Sequence, residues 1–325
     1  VAQDASGREW TTPVYLRILL PGDENLLQAV NRWRSLVGST LADREDLERS
    51  FECWQFGRYA TKNWDNPDYP HTTDPRKPYW TPAADRCARG SQVPVVYYCY
   101  HPARPVPSNI LGKDIDGAIE APIHRTTWLS ETVSPPSVWG GLYLESRPFK
   151  ERPGGVCYEG YAGNNLSGTY VPKEILFPPP ETVLSFRRFG GEWPNPVEAC
   201  NATRAPKLPY RTTQDSWVFP AGLAITVMTS APFRTVETEA TFARLVRTSD
   251  GAEVPVCAMG SRQFWNQDPV ATDRAVEYLR YYGMLLVIPK DPLDRGEEYE
   301  VEVRGLFNGS QKTYRWKFRI AEDAL

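Results

Sequence analysis

Tyr299-Glu300-Val301-Glu302-Val303-Arg304 leads through Asn308-Gly309 into Thr313-Tyr314-Arg315-Trp316-Lys317-Phe318-Arg319-Ile320. Apolar and charged residues alternate along both runs, which predicts strands with one face on a core and one in water. Asn-Gly between such runs is the strongest short hairpin signal. Working back along the chain, Ala240 to Arg247 leads through Asp250-Gly251 into Val254 to Cys257, a second hairpin. Leu223 to Met228 and Met284 to Ile288 are further strand-like runs. Short strands at this spacing predict a β-sandwich, with Thr272 to Leu279 as its helical exception. Its start is placed near Pro172, before the stiff stretch Phe177-Pro178-Pro179-Pro180, giving units 1–171 and 172–325.

The first unit reads as mixed. Leu26, Leu27, Val30, Trp33, Leu36 and Val37 form a helical stripe over Glu24 to Val37, with Asp23 as the expected N-cap. A second helix from Asp43 to Lys62 carries Leu47, Phe51, Trp54 and Tyr59 inward, and Pro67 and Pro70 end it. Thr81 followed by Pro82 predicts a short helix. Val93 to Tyr100, Val138 to Ser146 and Val156 to Ala162 read as strands, and Asp114 to Glu120 as a helix whose end Pro122 disturbs.

With 325 residues, the chain exceeds the usual single-domain length. Lys and Arg number 37 against 40 Asp and Glu, a net charge of −3 with both signs interspersed. That balance gives no electrostatic case for nucleic acid or an anionic membrane. The longest apolar runs are too short to span a bilayer. The 30 Pro favour extended segments, and the 11 Trp and 17 Tyr are read mainly as core, with glycan or protein binding as the use of any on the surface. Cysteines at 53, 87, 99, 157, 200 and 257 show no zinc spacing, so they suggest disulfides and an oxidising compartment. Val1-Ala2-Gln3-Asp4 has no leader character, so export implies a processed form. Asn165, Asn201 and Asn308 open glycosylation sequons.

Several segments in order resemble the CAP superfamily of SCP-like extracellular proteins, in its bacterial secreted branch. They are LLQAVNRWRSLV from Leu26 to Val37, Cys53-Trp54-Gln55-Phe56-Gly57-Arg58-Tyr59, His71-Thr72-Thr73-Asp74-Pro75, and Ala121-Pro122-Ile123-His124-Arg125, read as a helix ending in a P-x-H element. Gly190-Gly191-Glu192-Trp193-Pro194-Asn195-Pro196 and Ile288-Pro289-Lys290-Asp291-Pro292-Leu293 are similar to an Ig-like domain that follows such domains. The resemblance implies an α+β chain: an αβα-sandwich CAP-like domain and an Ig-like β-sandwich, exported to the surface or medium. It also implies a cleft in which two His and one or two Glu bind a divalent metal, matched here by His71 and His124. Thr73 stands where an acid is usual, and Gly90-Ser91-Gln92 carries no carboxylate.

Asp74 and Glu120 are the only acids near those histidines in sequence. Glu120 and His124 have i, i+4 spacing, which Pro122 places in doubt. Metal chemistry needs a third ligand and an open position, so the cleft reads as vestigial, with no metal and no cofactor. His101 reads as a loop residue, and no G-x-S-x-G elbow is present. Trp193 reads as a plug at the end of the sandwich core, with an exposed ligand-facing aromatic as the alternative. Cys200 and Cys257 share the second unit and are expected to pair. The other four allow three pairings, of which Cys87–Cys99 with Cys53–Cys157 is the expected one. The expected function is a secreted or cell-surface, non-enzymatic binding or structural protein. Its partners would be proteins or further copies of itself, with glycan or lipid as other classes. The alternatives are a metal-assisted hydrolase or protease using His71 and His124, and a lipid-binding carrier.

Overall fold

A computed structural model describes residues 2–3, 9–10, 24–63, 72–90, 96–100, 110–146, 156–164, 171–201, 220–229 and 235–325. Strands β1 (Ala2–Gln3) and β2 (Glu9–Trp10) pair with each other. Then come α1 (Leu26–Leu36), β3 (Arg44–Glu45), α2 (Leu47–Lys62), α3 (Pro82–Gly90), β4 (Val96–Tyr100), α4 (Ile110–Glu120), α5 (Pro122–Leu129), β5 (Ser137–Ser146) and β6 (Val156–Asn164). The remainder is β7 (Ile175–Phe177), β8 (Val183–Leu184), α6 (Pro196–Asn201), β9 (Ile225–Met228), β10 (Thr238–Arg247), β11 (Glu253–Val254), β12 (Val256–Met259), α7 (Pro269–Tyr281), β13 (Met284–Pro289), β14 (Glu298–Phe307) and β15 (Ser310–Ile320). The chain is α+β.

In the first half, β3, β5, β6 and β4 form a four-stranded sheet. Val138 on β5 packs with α1, α4 and α5, whereas its neighbour Trp139 packs with α2 and α3. Alternation along the strand therefore puts helices on both faces. On the α2 side the fit is close, because a Cβ on Gly141 would fall within the α2 backbone.

Capping explains where the helices start. Asn25, not Asp23, caps α1: its side chain accepts the Gln28 amide while Gln28 accepts the Asn25 amide, each at 2.9 Å or less. Asp46 caps α2, and the Thr81 hydroxyl accepts the Ala84 amide at the start of α3. The inward stripe of α2 is carried by Cys53, Phe56 and Tyr59. Leu47, expected inside, is 74% exposed at the first turn. Leu36 of α1 is likewise exposed, and Arg34 takes a buried place with its head on the carbonyls of Thr40 and Trp128.

The second half contains a five-stranded sheet, β11-β10-β14-β15-β8, facing a four-stranded sheet, β12-β13-β9-β7. The Asn308-Gly309 hairpin forms as expected, pairing β14 with β15 from Glu298–Arg319 to Phe307–Ser310. On β14 burial alternates: Tyr299, Val301, Val303 and Phe307 face in, while Glu300, Glu302 and Arg304 form ion pairs or hydrogen bonds outside. In contrast, β9 and β13 are buried at every residue. A continuously apolar strand is covered on both faces. The five-stranded sheet covers one face, and helices of the first half and α7 cover the other. Trp33 of α1 lies 6.0 Å from the Phe177 ring and 5.6 Å from Phe186. One apolar core thus runs from Leu26 to Ala324, through the expected boundary at 172. Three elements of the second half lay outside the expectation: β7, α6, and the parallel edge strand β8 beside β15.

The Cys200–Cys257 bridge is as expected. The other expected pairing is corrected: Cys53 bonds to Cys87, so neither Cys87–Cys99 nor Cys53–Cys157 forms. Helices α2 and α3 lie side by side and bring these Cα atoms to 5.0 Å, and proximity in space overrides the short loop between 87 and 99. Cys99 and Cys157 face each other in the β4–β6 register.

Candidate functional site

The site begins at a helix start that cannot cap itself. Ala121 is the N-cap of α5 and offers no side-chain acceptor, and Pro122 at the first position has no N–H. The next amides, Ile123 and His124, need an acceptor from elsewhere. Glu192 supplies it from the Gly190–Pro196 loop: Oε2 accepts the Ile123 amide at 2.7 Å and Oε1 the His124 amide at 3.1 Å. Oε1 also contacts Nδ1 of the His124 ring. The Glu192 side chain is 0% exposed, so among the described residues its carboxylate is held by these donors and by the positive end of the helix dipole. Because Oε1 is an acceptor, Nδ1 donates, and the lone pair of a neutral ring lies on Nε2.

Arg125 follows and is fully buried. It donates through Nη1 to the Ala224 carbonyl at 2.7 Å and through Nη2 to the Glu120 carbonyl at 2.8 Å, where α4 ends. Its guanidinium lies 3.7 Å from the Phe177 ring centroid. Burial pulls its pKa down to about 9, against the opposing pull of Glu192 and Glu120. One residue thereby ties α4, α5, β7 and the segment before β9 together. P-x-H therefore opens a helix here rather than ending one.

Glu120 is the last residue of α4 and His124 belongs to α5, so the break at Ala121 removes the i, i+4 relation between them. The Glu120 carboxyl leans on the backbone of Gly190, where a Cβ would sit 2.6 Å from Oε2. Burial, and then the nearby Asp116 charge, push its pKa up to about 7, with Arg188 and Arg125 opposing. It lines a cavity of about 330 Å³ with Asp116, Ser185, Phe186, Asp323 and Leu325. Asp116 is itself engaged, accepting from Arg32 and from the Trp33 indole at 2.7 Å each.

Asp74 lies elsewhere, on the turn before α3. Its carboxylate forks onto Arg76 at 2.9 Å, and that hydrogen bond holds its pKa down to about 2. Thr73 donates to Asp85 at 2.6 Å and accepts the Trp80 indole N–H at 3.1 Å. His71, His101 and Asn165 lie outside the described residues. Asn201 ends α6 and Asn308 sits at the hairpin turn, both exposed. Among the described residues, no group of three or more His, Cys, Asp or Glu side chains is placed to hold a metal ion. Glu120 and Asp74 therefore do not complete a ligand set around His124.

Trp193 does not plug the core. It is 58% exposed, and the buried member of the pair is its neighbour Glu192. Tyr278 of α7 lies close enough to Glu192 for that charge to help raise its pKa, after burial. Sequence reasoning missed Glu192 and Arg125. The available signal was the uncapped Ala121-Pro122 start, which demands a distant acceptor. No helix among the described residues is long and apolar enough to cross a membrane. No family model, curated protein or solved structure matches this chain.

Proposed function

We propose that the chain is a secreted or cell-surface binding and structural protein, a CAP-like domain followed by an Ig-like β-sandwich, without catalytic chemistry of its own. The observation that carries this reading is the use of His124. Its Nδ1 and its amide, with the Ile123 amide, are engaged by a buried carboxylate that joins the two halves. An arrangement of that kind fixes the halves relative to one another and presents a rigid surface with Trp193 exposed on it. The bridges Cys53–Cys87 and Cys200–Cys257 suit an oxidising exterior.

A metal-assisted hydrolase is the second reading, because a carboxylate on Nδ1 is also how a metal-binding imidazole is oriented. Metal content of the oxidised protein, purified with and without a chelator, separates the two. Our reading expects no stoichiometric zinc and the same melting temperature in both preparations. Zinc bound one to one, lost in His71→Ala together with a hydrolytic activity, would overturn it. Lipid recovered stoichiometrically in an organic extract would overturn it in favour of a carrier.

A further inference from the structure

The turn before α3 carries an outlier that the seam between the halves does not explain. Tyr79 has φ 63°, a left-handed conformation that a bulky side chain adopts only under restraint and that clusters where function holds it. The restraint is visible: Asn63 Nδ2 donates to the carbonyls of Pro78 at 2.9 Å and Tyr59 at 2.8 Å. The Asp74 amide donates to the Tyr59 hydroxyl at 2.8 Å. Pinned this way, Tyr79 is 45% exposed.

Two cations of α2 attend that ring. The Arg58 guanidinium carbon lies 4.6 Å and the Lys62 ammonium 5.8 Å from its centroid. They are one helical turn apart and both exposed; on the adjoining turn Lys77 adds a cation, while Arg76 is paired with Asp74. Among the described residues no carboxylate pairs with Arg58, whose partner is the ring. A cationic, aromatic corner thus stands on a chain whose net charge is −3.

We propose that the Arg58–Tyr79 corner binds an acidic polysaccharide, seating a uronate-type sugar with its ring face on Tyr79 and its carboxylate on Arg58. The guanidinium fork matches a planar carboxylate with two parallel hydrogen bonds. A tyrosine held in place offers a flat amphipathic face at little entropic cost. Nucleic acid would call for a longer basic track with successive stacking platforms, which a single ring on an acidic chain does not offer. The corner is distinct from the seam; its extracellular setting rests on the function proposed above, but the binding chemistry does not.

Affinity electrophoresis of the intact, oxidised chain tests this, with polygalacturonate or neutral galactan cast in the gel. The expected result is retardation by polygalacturonate alone, weakening as salt is added. Arg58→Gln is expected to lose about tenfold in affinity, the worth of one charge-assisted pair. Tyr79→Gly should lose a similar factor while melting no lower than the parent, because glycine accepts the left-handed backbone and only the ring is gone. Equal retardation by galactan, unchanged binding in both variants, or stronger retardation by single-stranded DNA would each overturn the proposal. Absence of polygalacturonate binding in a zinc-free protein would defeat this inference alone, and zinc-dependent hydrolysis would defeat only the earlier one.

Discussion

Val138 and Trp139 are consecutive residues of one strand, yet they belong to different interiors. Val138 joins the large core that continues through the sandwich to Ala324. Trp139 joins a small cluster with Cys53, Phe56, Tyr59, Ala60, Ala84, Cys87 and Ala88. The large core can bury apolar surface at length and also encloses Arg125 and Glu192, charged groups that must be paired there. The small cluster has eight members, and Cys53–Cys87 ties two of them, whereas Cys200–Cys257 is a minor part of the large core. The difference teaches that the two faces of one sheet are stabilised by different means, so they should fail in different ways.

The sharpest break is expected at Glu192. Glu192→Ala leaves the Ile123 and His124 amides without their acceptor and removes one of the two acids balancing buried Arg125. The expected loss is about 3–5 kcal/mol in urea unfolding, the range for breaking a buried pair. Glu192→Gln keeps an acceptor and should lose less. A loss below about 1 kcal/mol for the alanine variant would mean that the seam is not held by this carboxylate.

On the other face, replacing Cys53 and Cys87 by Ala opens a loop of sequence separation 34, worth about 3–4 kcal/mol by chain entropy. The comparison predicts where the damage appears. Hydrogen exchange should rise over α2 and α3, while β9 and β13 keep their protection. Uniform loss of protection across both cores would erase the distinction between the faces.

These contrasts were unequally legible in the sequence. The β14–β15 hairpin was, because alternation and Asn308-Gly309 are local signals. The Met284 to Ile288 strand was too, although its continuous apolarity already implied cover on both faces, and so contact with the first half. The cysteine pairing was not, since it depends on how α2 lies against α3 and not on loop length. Trp193 was read as the plug and is exposed, while the neighbouring Glu192 carboxylate, which carried no local signal of burial, is the inward member. It is buried because α5 begins at Ala121-Pro122 and has no cap of its own. His71 and His124 were visible as residues, but the partner of the His124 ring comes from 68 positions later.

Glu120 gives the smallest effect and the one with the opposite sign. Its carboxyl sits where burial and Asp116 raise its pKa from 4.5 to about 7, so the folded chain favours the protonated form. Between about pH 4.5 and 7 the folded state takes up this proton and the unfolded state does not, so stability gained here falls as pH rises through 7. Above that, ionised Glu120 is a net burden, and Glu120→Gln should stabilise the protein by about 1–3 kcal/mol at pH 8. Below pH 4.5 both states of the parent are protonated and the two proteins should melt together. Thermal melts at pH 4.5 and 8 check the sign. A variant that is less stable at pH 8 would show that the ionised carboxylate is satisfied there by Arg188 or Arg125, and that this edge of the large core holds its charges as well paired as Glu192 is.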